Sequence, residues 1–329
     1  MKIYFDKVNL LSFLKQGEED TVSDTYDEVN RLMKRHLDLV FNFNKNECAN
    51  NPILLKWLNQ LSQGRGNSTS RDEFKDSPFP ERPVKNNFRT NLPWDVFASA
   101  FLIDDVKTES LKQSNNILIG NVGEETNLLS LLFCNSLFSL HSVYNIQNRN
   151  FFKGWSTLKQ DGHIMPCTDI IISDRYLFSK PDKILEKNIF TILSMFSNDK
   201  QNTKINIIFF TDPIDEVLRN SIKKRIDNIF NKKASVKVTF VLFRNDRHNR
   251  PHDRFIITNY RVFRSGDSFN YYDEKDNIIS QGLTLDINSL ADEETYSWVS
   301  DVQKQYQDLC DNAKDRIFGA KESNFINFK

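Results

Sequence analysis

A chain of 329 residues is long enough for two domains or one large α/β unit, and its 39% hydrophobic and 27% charged residues can bury a core. Its 44 basic and 44 acidic side chains cancel, which excludes a tail-driven polyanion binder but leaves room for a local basic patch. Four cysteines with no CxxC pair exclude a cysteine-spaced zinc site and, at this length, a disulfide framework.

The N-terminus meets charge too early for a signal peptide, and no run nears the roughly 18 apolar residues of a spanning helix. A cytoplasmic protein without membrane insertion is expected. Residues 1–61 read as helical, with Val29, Leu32, Met33, His36, Leu39 and Val40 at three- and four-residue spacing between Thr25 and Val40. Residues 62–93 are polar and Pro-rich, a long loop. Val96 to Ile103 and Asn116 to Val122 are apolar runs, the second a strand closing in a glycine-bearing turn before an apolar helix from Leu128 to Phe138. Glu124 and Glu125 in that turn suit a helix N-terminus and oppose a phosphate loop.

The second half alternates more clearly. Strands are predicted at Asp169–Asp174, Ile205–Phe210 and Val236–Phe243, with helices at Ile184–Phe196 and Asp215–Phe230 between them. Phe255–Ile257 and Tyr260–Phe263 follow as a strand pair, and 289–318 as an exposed helical tail with Trp298, Val302 and Tyr306 on one stripe. This pattern predicts an N-terminal domain over 1–165, α/β or mostly helical. Over 166–329 it predicts an α/β domain with a mixed, largely parallel sheet and helices on both faces.

The chemistry concentrates in Arg244–Asn270. That segment holds six arginines (Arg244, Arg247, Arg250, Arg254, Arg261 and Arg264) and two of the chain's five histidines, His248 and His252. Guanidinium groups offer planar paired donors to phosphate oxygens, and an imidazole beside them can act as nucleophile or proton carrier near neutral pH. The competing reading is a solvated basic hairpin. Asp174-Arg175-Tyr176 closes the first strand of the second half, as site residues or as a strand-end ion pair with a capping tyrosine.

His252-Asp253-Arg254, four residues, Asn259, six residues, then Gly266-Asp267-Ser268-Phe269-Asn270 resembles the phospholipase D superfamily motif, HxK-x4-D-x6-GSxxN. The resemblance covers roughly residues 166–288. It implies a phospholipase D-like fold and a phosphodiester substrate, most readily nucleic acid. It also implies that His252 is the nucleophile and Arg254 the phosphate-holding cation, with Asn259 and Asn270 completing the catalytic set. Arg250, Arg261, Arg264, Gly266, Ser268, Asp174 and Arg175 are the expected substrate-binding residues. No metal and no other cofactor is implied.

Two positions depart from the family, Asn259 for its aspartate and Asp267 for its serine. Restoring aspartate at 259 is expected to leave activity unchanged or raise it. The family uses two histidines, and His163 and His141 have no cation two residues later, so a homodimer is expected to supply the second. The implied function is a metal-independent nuclease in bacterial antiviral defence or DNA processing. The alternative is an inactive module that binds nucleic acid, a phosphorylated ligand or a protein partner within a multi-subunit system.

Overall fold

The computed structural model describes residues 1–18, 23–43, 50–63, 94–104, 108–197, 203–230, 235–243, 253–280 and 284–328. The fold is mixed α/β and holds two sheets. The first is parallel throughout, in the order β2-β1-β3-β4, formed by β1 (Lys2–Phe5), β2 (Asp38–Phe41), β3 (Ala100–Leu102) and β4 (Ile119–Gly120). Helices α1 (Lys7–Gln16), α2 (Asp24–His36) and α3 (Pro52–Gln63) accompany it.

The apolar stripe from Thr25 to Val40 therefore divides into a helix and a strand. Ser23 Oγ caps the start of α2 by accepting from the Tyr26 N–H. Lys34, Arg35 and His36 suit its negative C-terminal end. Leu37 then turns extended (φ −109°, ψ 138°), and β2 begins. The predicted helix over Leu128–Phe138 is also shorter, since α4 spans only Glu125–Ser130 and gives way to turns.

The second sheet has eight strands in the order β12-β8-β7-β6-β9-β10-β11-β5. Its members are β5 (His141–Asn145), β6 (Asp169–Ser173), β7 (Lys204–Thr211), β8 (Ser235–Leu242), β9 (Arg254–Ile257), β10 (Arg261–Ser265), β11 (Thr284–Ser289) and β12 (Ile317–Gly319). Only β6–β7 and β7–β8 pair in parallel, and the other five pairings are antiparallel. A largely parallel sheet is thus corrected to a parallel centre inside antiparallel flanks. β5 precedes residue 166 yet joins this sheet, so the sheet boundary does not coincide with the expected division.

Side-chain alternation along each strand feeds two cores. Ile171, Ile208, Phe210, Phe255 and Ile257 face the N-terminal elements and α7 (Glu293–Asp311). Ile170, Ile172, Ile207, Phe209 and Phe240 face the opposite side. There they meet α5 (Asp182–Leu185, a π-turn Glu186–Phe190, then Thr191–Phe196) and α6 (Glu216–Ile229). Helices cover both faces, as expected. The C-terminal helix is not an exposed tail, because Val302 and Tyr306 are buried and the Tyr306 hydroxyl lies 2.7 Å from Ser173 Oγ. Among the described residues no helix is long and apolar enough to cross a membrane.

A buried histidine sits behind β5. The Tyr144 hydroxyl donates to Asp161 Oδ2 at 2.5 Å and stands 2.7 Å from His163 Nε2. Burial, reinforced by the Arg261 charge and opposed by Asp161, pushes His163 down to about 4. The unfolded chain takes up this proton first as pH falls through the ordinary histidine value near 6.5, so stability declines from there toward pH 4. Between pH 7 and 4.5 the expected loss from this group is about 2–3 kcal/mol. Urea unfolding at the two pH values should show it, and His163→Gln should flatten the difference; an unchanged difference in the variant contradicts the assignment.

Candidate functional site

The hairpin of β9 and β10 carries most of the motif, and its two ends do different work. At the open end, β9 runs antiparallel to β6, so Arg254 starts where β6 finishes. This edge is the change-over between parallel and antiparallel pairing, beyond the carboxyl ends of β6 and β7, the usual ligand position in open α/β sheets.

Asp174, the residue after β6, is buried. It accepts from Ser268 Oγ at 2.7 Å, from the Phe269 N–H at 2.9 Å and from the Tyr176 N–H at 3.0 Å. Burial raises its carboxyl above the ordinary range, against these hydrogen bonds and the Arg254 charge. Its role is to fasten the 266–270 turn to the end of β6. Asn270 Nδ2 completes the fastening by donating to the Leu177 carbonyl and Ser268 Oγ.

Arg254 donates to the Gly266 carbonyl at 2.9 Å and lies 5.8 Å from the Tyr176 ring centroid. It is partly exposed, which leaves it able to meet an anion. Arg254, Gly266, Ser268, Asn270 and Asp174 are therefore brought together in space, although Ser268 and Asn270 are themselves buried.

Other expected substrate contacts are engaged by protein partners or lie outside the described residues. Arg175 forms a two-point ion pair with Asp212 (3.1 and 3.3 Å) and keeps only 12% of its side chain exposed, the strand-end ion pair of the competing reading. Asp212 was not singled out; it follows the apolar run of β7 directly, which was the available signal. Arg264 packs over the Trp298 ring at 3.8 Å, half-buried. His252 and Arg250 lie outside the described residues, as do Arg244, Arg247 and His248. The flanking residues Phe243 and Asp253 both border this edge: the Phe243 N–H donates to the Thr211 carbonyl, and the Asp253 carbonyl accepts from Ser173 Oγ.

The closed end of the hairpin is an anchor. Asn259 Oδ1 accepts from the N–H groups of Thr168 and Asp169, and Nδ2 donates to the Phe97 carbonyl at 2.9 Å. The Tyr260 hydroxyl accepts from the Leu118 N–H and donates to the Ser99 carbonyl. The Arg261 guanidinium reaches the carbonyls of Leu131, Leu132 and Phe133. All three side chains are fully buried, so Asn259 and Arg261 are corrected from catalytic and substrate-binding residues to docking residues that tie this hairpin to the N-terminal elements.

The same burial bears on Asn259→Asp through stability. A carboxylate would face the Phe97 carbonyl without a donor, in a site closed to water. The expected result is a loss of about 2–4 kcal/mol of stability, read as a lowered urea midpoint. A variant as stable as the wild type would contradict this placement.

Among the described residues no group of three or more His, Cys, Asp and Glu side chains could hold a metal ion. No protein-family model matches the chain, and comparison with curated proteins finds no match.

Proposed function

We propose that this chain is a phosphodiester-cleaving enzyme of the phospholipase D-like class, a metal-independent nuclease in which His252 is the nucleophile. The observation that carries the reading is the convergence of Arg254, Gly266, Ser268 and Asn270 with Asp174 at one sheet edge, from positions up to 96 residues apart in sequence. An imidazole nitrogen of His252 attacks phosphorus, a P–N bond forms and the P–O bond to the leaving group breaks. Arg254 takes charge on the equatorial oxygens. The leaving oxygen takes a proton from a second histidine, supplied by a second copy of the chain, and water then hydrolyses the phosphohistidine.

Incubation with single- and double-stranded DNA and RNA in EDTA tests the reading, with light scattering to report the dimer. Cleavage in EDTA by a dimer is the expected outcome. A monomer that binds without cutting would favour the inactive binding module, a reading supported by Asn259 and by the absence of any HxK in the sequence, which has only the HxR pairs His248-Asn249-Arg250 and His252-Asp253-Arg254. Antiviral defence or DNA processing is the setting we infer for such an activity.

A further inference from the structure

The mouth of this edge carries an aromatic side chain that the cleavage reading does not use. Tyr176 follows Asp174-Arg175 and remains 44% exposed, a large apolar group beside a buried polar cluster. The Arg175 guanidinium lies 5.2 Å from its ring centroid and that of Arg254 5.8 Å. Neither the ring's backbone nor its neighbours are free to drift. The Tyr176 N–H is held by Asp174 Oδ1, and its carbonyl accepts from the Ser179 hydroxyl and N–H. Arg175 is locked by Asp212, and Arg254 by the Gly266 carbonyl.

We propose that Tyr176 is a stacking platform that makes the site take single-stranded nucleic acid, with one base on the phenol ring while Arg254 holds the adjoining phosphate; this rests on the phosphodiester reading of the site. Every base offers a π-face, but in a duplex both faces are covered by neighbouring pairs, so only an unpaired strand can use the ring. Cations beside a partly exposed aromatic ring, here Arg175 and Arg254 over Tyr176, are the two parts that single-strand grooves combine. Because Arg175 is held by Asp212 and the backbone under the ring by Asp174 and Ser179, a bound strand has less of the site to order.

Fluorescence anisotropy on the full chain, as His252→Ala in EDTA so that no strand is cut, tests this directly. The probes are a labelled single strand of DNA or RNA, the matching duplex, and an abasic single strand of equal length. The single strand should bind more tightly than the duplex. Adding Tyr176→Ala should weaken it roughly tenfold or more while leaving the abasic strand unchanged. Tyr176→Trp should retain binding, and Phe151→Ala, which removes a more exposed aromatic at 71%, should change nothing.

Equal affinity for duplex and single strand would overturn the platform, as would an equal loss on base-bearing and abasic strands. Stacking behaviour intact in a wild-type chain that cuts nothing would overturn the catalytic reading alone. Cleavage insensitive to Tyr176 would overturn the platform alone, and failure to bind any of the probes would overturn both.

Discussion

Replacing Arg261 with alanine is expected to cost about 3–5 kcal/mol of stability, the largest folding effect of any arginine in the basic segment. Its guanidinium is fully buried, and none of its hydrogen-bond partners carries a charge. Nη2 donates to the Leu131 carbonyl at 2.6 Å and to that of Phe133 at 2.7 Å; Nη1 donates to Leu132 at 3.0 Å and to Ser289 Oγ at 3.1 Å. Those carbonyls belong to the turn that directly follows α4.

Burial lowers the pKa of Arg261, but the carbonyl oxygens around it compensate the buried charge. Alanine would strand them in a site water cannot reach, each at about 1–3 kcal/mol. Lysine has one point charge in place of a fork and should recover only part of the loss. Arg254→Ala, at the exposed mouth, should cost less than about 1 kcal/mol. Urea midpoints for the three variants check the contrast; equal midpoints for Arg261→Ala and Arg254→Ala would mean that the two arginines do not divide between fold and site.

That division was partly legible in the sequence. Arg261 and Phe263 alternate onto one side of β10, and an arginine sharing a face with a core phenylalanine is a candidate for burial. The number of guanidinium groups over 244–270 does not reveal this, because charge composition carries no facing. The buried runs IIIS of β6 and NIIFFT of β7, and the amphipathic α6, were readable because each is a complete period bounded by polar residues.

Pairing direction was not readable. Nothing in the apolar run of β9 states whether β6 beside it runs the same way, and β5, with its exposed Val143, gave no core signal at all. In the N-terminal sheet, β3 and β4 fall within the apolar runs Val96–Ile103 and Asn116–Val122, but β1 and β2 were lost as four-residue strands lying directly against helices, so that β2 completed the apolar stripe of α2. At the site, the motif spacing brought out Arg254, Gly266, Ser268 and Asn270. The same spacing placed Asn259 among the catalytic residues, although its offset belongs to the closed end of the hairpin.

His252→Ala is expected to lower cleavage by at least about 10⁴-fold, the scale seen when a nucleophile is removed and only binding and charge stabilisation remain. His252 stands two residues before Arg254 in the sequence. Arg254 should then act on the transition state: its replacement by alanine should lower kcat by about 10²–10³-fold. Leaving Asp174 and the 266–270 turn intact, that variant should still fold. Asp174→Ala should reduce both stability and activity, since it releases the turn that holds Arg254 through Gly266.

The most direct measurement is a cleavage assay in EDTA with a phosphorus-labelled oligonucleotide, quenched in alkali and mapped for an acid-labile adduct. The predicted result is cleavage that persists without divalent metal, label retained on His252 and not on His248, and loss of both in His252→Ala. Cleavage abolished by EDTA but spared in His252→Ala would place the chemistry elsewhere in the chain and contradict the assignment of this edge as the active site.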